Sequence, residues 1–426
     1  MRLLFITFFF PPYNTIGAVR TGKTAKILHE LGFEVRVVAG VDNSLNDDLP
    51  VEIPEENVLY AEYFDFEGCI LRLMGKDKYS VKNVLHSGYG GSFRSRVLKG
   101  LFSIYRYIVY IPDKYIGWYP FALPRAEGLM VNWKPDVILA SAMPYTSLLV
   151  AAKLSRKYDI PFVAELRDLW VDNHYIKHNP LSALLERKVL NQASAIITVS
   201  QPLVEKLRKR YDKPIYEIMN GFDEEDFPST YAGEELENNN NKTITITYTG
   251  MIYPGKQDPS LLFRTISCSE ELKKIIVCRF YGNNLEWLKY LARDYKIEEN
   301  IQVYPPVSRK ESLRIQSESD VLLLLTWNDP SEKGVYTGKI FEYIGNAKPI
   351  LVIGSRDNVA AELVRENGFG IVADKMEEVE EFLLNLQEKY VPSIKQNYLK
   401  NRYKFERRKQ LLKLAEVLSN ISQEGQ

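Results

Sequence analysis

The sequence predicts an α/β protein built from two doubly wound domains in tandem. Three observations predict it. Short apolar runs alternate with helical patterns through the first half of the chain. A polar stretch from Asp223 to Asn241, ending in Asn238-Asn239-Asn240-Asn241, then breaks the pattern. The same alternation starts again after it and continues past residue 350. Strand-helix alternation signals a parallel sheet with helices on both faces, which is why the strand runs are apolar throughout.

The elements follow in order. Leu3 to Phe10 reads as a buried strand, Gly22 to Leu31 as a helix stopped by Gly32, and Glu34 to Ala39 as the next strand. Val137 to Ala140, Pro161 to Ala164 and Ala195 to Val199 read as strands, with helices at Thr146 to Tyr158, Ala183 to Gln192 and Pro202 to Tyr211. Beyond the break, Ile244 to Tyr248, Lys274 to Tyr281, Ile301 to Tyr304, Val321 to Leu325 and Ile350 to Ile353 are strands. Helices fall between them at Pro259 to Ile266, Leu285 to Tyr295, Lys310 to Glu318 and from Lys339. Residues 392–426 place Lys, Arg and Leu at helical spacing, as one or two amphipathic helices do. The expected domains are 1–225 and 226–395, with helices at 396–426 packing back on the first. In doubly wound sheets ligands bind beyond the carboxyl ends of the strands, so the loops after strands are where chemistry belongs.

Composition narrows the function classes. The chain has 426 residues, 45% hydrophobic and 26% charged, which suits a globular protein with sizeable cores. Lys+Arg and Asp+Glu are both 55, and a nucleic-acid binder would carry a basic excess. Cys69, Cys268 and Cys278 form no CxxC pair and no Cys/His cluster, so neither a disulfide framework nor a zinc site is indicated and a cytoplasmic setting fits. The apolar start is too short for a signal peptide and lacks a cleavage site. No run approaches ~18 apolar residues, so no transmembrane helix is expected.

Residues 17–24, Gly-Ala-Val-Arg-Thr-Gly-Lys-Thr, satisfy the P-loop pattern. A P-loop leaves its strand almost directly, whereas Pro11 to Ile16 intervene here, and no apolar strand ends on a suitable aspartate. The alternative is a glycine-containing loop that opens a helix, whose N-terminus binds anions through free amides.

Five segments together resemble glycosyltransferase family 4, retaining enzymes of the GT-B fold, and most of all its bacterial members that build O-antigen and other surface polysaccharides. They are Phe10-Pro11-Pro12 with Gly17, Ala18 and Arg20; Glu165-Leu166-Arg167-Asp168-Leu169-Trp170; Asn220-Gly221-Phe222-Asp223; Tyr248-Thr249-Gly250 with Lys256; and Gly334 to Tyr343. The resemblance implies a GT-B fold, two Rossmann-like domains facing a central cleft. It implies that Gly17 and Ala18 lie over the donor phosphates, and that Arg167, Asp168 and Glu165 form the catalytic group. Arg167 stands where many members have His, and an Arg167–Asp168 or Arg167–Glu165 structural pair is the alternative. Gly250 and Lys256 would meet the diphosphate. Met251 replaces a family arginine there, so Lys339 is the candidate second cation. Gly338 would offer its amide at a helix N-terminus, and Glu342 would accept hydrogen bonds from the ribose hydroxyls. The family's other glutamate falls at Gly334.

The resemblance further implies a nucleotide-sugar donor, with UDP by family habit and GDP as the alternative. No cofactor and no metal are expected: the sequence has no Asp-x-Asp and no HExxH motif. The acceptor would be a glycan or polyprenyl-linked glycan. Arg94, Arg96, Arg106 and Trp118 lie in a stretch mixing basic and aromatic groups, which suits either a peripheral contact with the inner membrane or an ordinary helix with its aromatics inward. A sugar-nucleotide epimerase on the same fold and a P-loop NTPase are the rival readings.

Overall fold

The computed structural model describes residues 1–66, 68, 110–173, 180–227, 243–327, 333, 334 and 336–424. The chain divides into two compact units. The first comprises Met1–Val199, Leu203–Ile218 and Leu411–Gln426, the second Ser200–Pro202 and Met219–Gln410. The chain thus leaves the first unit at Ile218, before the expected 225. The helix Val391–Asn401 stays with the second unit, and the return begins inside the helix Arg407–Glu424.

The first unit holds a seven-stranded sheet in the order β3-β2-β1-β4-β5-β6-β7. Its strands are β1 (Arg2–Ile6), β2 (Glu34–Gly40), β3 (Val58–Ala61), β4 (Val137–Ala142), β5 (Phe162–Leu166), β6 (Ala195–Thr198) and β7 (Ile215–Glu217). All neighbours pair in parallel. Successive side chains of a strand point to opposite faces. Leu4 and Ile6 therefore join one core, and Leu3 and Phe5 another that also holds Leu414 and Leu418 of the last helix. β1 is shorter than its apolar run because Phe8 and Phe10 leave the sheet yet stay buried. A Cβ on Gly40 would sit 2.3 Å from the Phe8 ring, so glycine is what lets that ring lie on β2.

The second unit holds a six-stranded parallel sheet ordered β10-β9-β8-β11-β12-β13. These are β8 (Ile244–Thr249), β9 (Ile276–Tyr281), β10 (Ile301–Tyr304), β11 (Val321–Leu325), β12 (Ile350–Ile353) and β13 (Gly370–Ala373). One continuous core packs it, from Ile246 and Phe280 to Phe369 and Tyr398. Both sheets reverse direction beside their first strand, at β1/β4 and at β8/β11. These are the topological switch points where such sheets bind ligands.

Candidate active site

At the first unit's switch point, three loops meet on one guanidinium. Arg167 follows β5 and reaches across to the loop after β4. Its Nε donates to the Ala142 carbonyl at 2.8 Å and its Nη2 to the Met143 carbonyl at 2.9 Å. The helix Ile16–Glu30 starts after β1, and a Cβ on its Gly17 would lie 3.0 Å from Arg167 Nη1. Glycine at 17 is thus what admits the guanidinium to the helix's first turn. The Arg167 loop is itself braced: Tyr145 stacks on Trp170 at 5.0 Å and donates to the Leu169 carbonyl at 2.9 Å. The buried Glu186 accepts from the Val171 amide at 2.6 Å. Asp168 makes no hydrogen bond among the described residues, and burial raises its pKa against the pull of Arg167.

Glu165 is not available to a substrate. It is 3% exposed and paired with Arg20, whose Nη2 and Nε lie 2.6 and 3.1 Å from Oε1. Burial alone would raise its pKa, but Arg20 and then Arg167 outweigh burial and hold it below the carboxylate range. In the structure Glu165 is a buried partner of Arg20, the structural pairing that its charge allows. Ala18 is likewise occupied: its side chain is buried, and its amide donates to the capping Thr15 hydroxyl at 3.0 Å.

Those contacts also overturn the P-loop reading. Residues 17–24 all lie inside the Ile16–Glu30 helix instead of forming a loop before it. Lys23 pairs with Glu52 at 3.0 Å, and the Thr24 hydroxyl donates back to the Arg20 carbonyl. Gly22 is there for packing, since a Cβ would sit 2.5 Å from the Pro11 ring.

The second unit's switch point gathers the expected donor residues. Gly250 ends β8 with φ +115°, a conformation that favours glycine. Lys339 lies in the first turn of the helix Gly338–Gly345, after β11. A Cβ on Gly250 would meet Lys339 Cε at 2.7 Å and Nζ at 3.1 Å. Lys339 Nζ also stands 5.0 Å from the centre of the Tyr248 ring, and it forms no ion pair among the described residues. Burial lowers its pKa, with Glu342 opposing. The first amides of any helix lack intrahelical partners. Gly338 supplies one of them, beside the lysine. The capping Thr337 hydroxyl is buried and unpartnered among the described residues.

Glu342 stands one turn further along. Its Oε2 accepts from Gln316 Nε2 at 3.3 Å, and its Oε1 lies 3.9 Å from Arg309 Nε. Arg309 is anchored by Asp226 at 2.7 Å. Burial raises the Glu342 pKa, with Arg309 the main opposing charge. Lys256 follows β8 as expected, but its Nζ rests over the Trp327 ring at 4.3 Å. Gly334 accepts from the Ser200 hydroxyl at 2.6 Å through its carbonyl. The Asn220-Gly221 turn has a packing role: a Cβ on Gly221 would lie 2.6 Å from the Arg407 amide nitrogen, where the two backbones cross.

Trp118 is not a surface residue. It is fully buried, edge-on to Phe8 at 5.5 Å, in the core with Ala122 and Ala126. Arg94, Arg96 and Arg106 lie outside the described residues. No helix among the described residues is long and apolar enough to cross a membrane. Among them no group of three His, Cys, Asp or Glu side chains would hold a metal. A cavity of about 640 Å³ opens beside β3, lined by Tyr60, Glu62, Phe121 and Arg125 among others, and none of the expected site residues borders it.

Many solved structures match, three of them as follows, each over nearly the whole of both chains. Sucrose-phosphate synthase from Thermosynechococcus elongatus is 11% identical over 100% of both chains, with a TM-score of 0.61. Anabaena HepE in complex with UDP is 14% identical over 99% of this chain and 100% of that one, with a TM-score of 0.61. The lipopolysaccharide outer core galactosyltransferase WaaB is 12% identical over 98% of this chain and 99% of that one, with a TM-score of 0.58. The fold is that of the GT-B glycosyltransferases. Within this GT-B chain, residues 70–226 match the sequence model of a family described as Glycosyltransferase Family 4. No curated protein matches the sequence. The GT-B fold accounts for the two switch points but does not by itself name Arg309, Gln316 and Asn346. Those sit around Glu342, and no motif announced them.

Proposed function

We propose that the protein is a retaining glycosyltransferase that moves a hexosyl or N-acetylhexosaminyl group from a UDP-sugar to a glycan or lipid-linked glycan during surface polysaccharide synthesis. The observation that carries this reading is Lys339 lying over Gly250 at a helix N-terminus, with Glu342 one turn along. That arrangement offers a cation and free amides to a diphosphate and a carboxylate to a ribose. Negative charge grows on the departing diphosphate in the transition state, and fixed positive groups stabilise it there more than in the ground state. Lys339 and Lys256 do this in the second unit, so no metal is required. Arg167 offers its guanidinium to the reacting sugar. The donor phosphate takes the acceptor's proton as the new bond forms on the same face. The Anabaena protein's structures with UDP and with UDP-glucose support UDP as the nucleotide. WaaB, by its name, supports a lipopolysaccharide-type acceptor. The enzyme works at the cytoplasmic face of the membrane as a peripheral protein.

Thermal unfolding with UDP, GDP, ADP and ATP, each with and without Mg²⁺, tests the donor site. A nucleotide at ~100 times its dissociation constant adds about 2.7 kcal/mol of apparent stability. Stabilisation by UDP without Mg²⁺ is the expected result. Stabilisation by ATP alone, and only with Mg²⁺, would sink the proposal. Product analysis without an acceptor separates transfer from epimerisation.

A further inference from the structure

Two amide side chains, Gln316 and Asn346, are fully buried directly beneath Glu342. Apolar residues of similar size would fill that space without the desolvation cost that a buried amide carries. The hydrogen bonds show where the amides are aimed. Asn346 Nδ2 lies 3.1 Å from the Glu342 main-chain carbonyl, which can only accept, so that atom is the nitrogen. The same nitrogen donates to Gln316 at 2.9 Å, so the Gln316 atom it meets is Oε1. Gln316 Nε2 must then face the other way, toward Thr249 Oγ1 at 2.9 Å, Ser312 Oγ at 3.0 Å and Glu342 Oε2 at 3.3 Å. The polarity of the chain is thus set by a backbone carbonyl and ends on a carboxylate oxygen. Among the described residues the other oxygen, Oε1, has only the long approach of Arg309 at 3.9 Å.

We infer that Gln316, oriented by Asn346, is a positioning residue that holds the Glu342 carboxylate turned toward a nucleotide's ribose hydroxyls and so sets the preference for ribonucleotides over nucleotides lacking them. The inference rests on the reading of Glu342 as the ribose ligand. Hydrogen bonds to a carboxylate favour its charged form, and a fixed acceptor binds a hydroxyl without first being ordered.

Calorimetric titration of UDP and of 2′,3′-dideoxyuridine diphosphate separates this role from mere structural support. The full-length wild type is expected to prefer UDP. Gln316→Met keeps the length of the side chain and removes its donor. It is expected to weaken UDP binding about tenfold, the scale of one hydrogen bond to a charged group, and to leave the dideoxy nucleotide unchanged. Asn346→Leu makes the same test from the other end, because it removes the donor that fixes Gln316 Oε1 and frees the amide to turn away from Glu342, and it serves where Gln316→Met fails to fold. A variant that folds and discriminates as well as wild type overturns the inference alone. A wild type that binds both nucleotides equally overturns the ribose reading of Glu342 and the inference with it. Equal weakening of both nucleotides shows a structural role only and also overturns it.

Discussion

Lys339 lies across the face of Gly250, with Cε 2.7 Å from where a Cβ would stand. The contact joins the loop after β8 to the helix after β11, and it makes two glycines of one loop behave differently. Gly250 has φ +115° and this contact; Gly255 has φ +79° and, among the described residues, nothing within 4 Å of where a Cβ would stand. Alanine at either position pays the backbone strain of a positive φ, about 1–2 kcal/mol. Only Gly250→Ala also displaces the lysine. Gly250→Ala should therefore lose more thermal stability than Gly255→Ala, and UDP binding should fall at least about tenfold in Gly250→Ala alone. Equal UDP affinity in the two variants would remove Lys339 from the site.

Arg20 and Glu165 form a buried pair that holds the first helix to β5. Removing one member leaves a bare charge in the core. Arg20→Met should cost about 3–5 kcal/mol in urea unfolding, and Arg20→Met with Glu165→Leu should recover most of it. The pH dependence has a definite sign. Arg20 holds the Glu165 pKa below its ordinary value, so the pair's stabilisation is present above the unfolded carboxylate range and is lost as pH falls through the folded pKa. The gap between wild type and Arg20→Met should accordingly shrink toward acid pH.

Arg167 is clamped by two carbonyls, which limits how far it can yield to a neighbour. In an isolated helix Gly17→Ala would gain up to about 1 kcal/mol of helix propensity. Here the new methyl meets Arg167 Nη1 at 3.0 Å. Stability should change little while sugar transfer drops, because the guanidinium must move. Arg167→Lys keeps the charge but cannot span both carbonyls, and it should lower kcat more than it raises KM for the donor. An unchanged kcat in both variants would remove Arg167 from the chemistry.

What the sequence disclosed follows from burial. β11 and β12 read at their true limits because every residue in them is apolar and buried; β10, an edge strand with only Ile301 buried, reads from the alternation of Ile301 and Val303. β3, β7 and β13 escaped notice: they are three or four residues long and mostly half-buried, too short for their few apolar residues to stand out from the neighbouring loops. The first two turns of the Ile16–Glu30 helix were hidden by Gly17, which is there to admit Arg167. At the candidate site, Gly250, Lys339 and Glu342 are carried by motifs, and the fold brings Gly250 and Lys339 into contact with Glu342 one turn along. The partner of Glu165 was not legible, because a charge after an apolar strand reads the same whatever it meets, and Arg20 comes from 145 residues away. Gln316 and Asn346 carried no signal, since their role comes from a polarity that only the folded contacts define.

Glu342 supplies the last prediction, because its burial sets stability against function. Burial raises its pKa in the folded state, with Arg309, Gln316 and Lys339 opposing. The native protein therefore binds a proton there more readily than the unfolded chain. Stability must then fall as pH climbs from the unfolded carboxylate range through the folded pKa. Glu342→Gln carries no such cost, so the free variant should be more stable than wild type at neutral pH and should lose that advantage as pH falls below the folded pKa. Its affinity for UDP should drop about tenfold at the same time, as expected when a binding group is kept at the expense of stability. Lys339 adds a second, independent readout. Burial already lowers its pKa, and Glu342 is the charge that opposes this. Without that charge the lysine releases its proton sooner, so the alkaline loss of UDP binding should move to lower pH in the variant. A variant whose UDP affinity falls with no shift of the alkaline limb would mean that Lys339 does not meet the diphosphate.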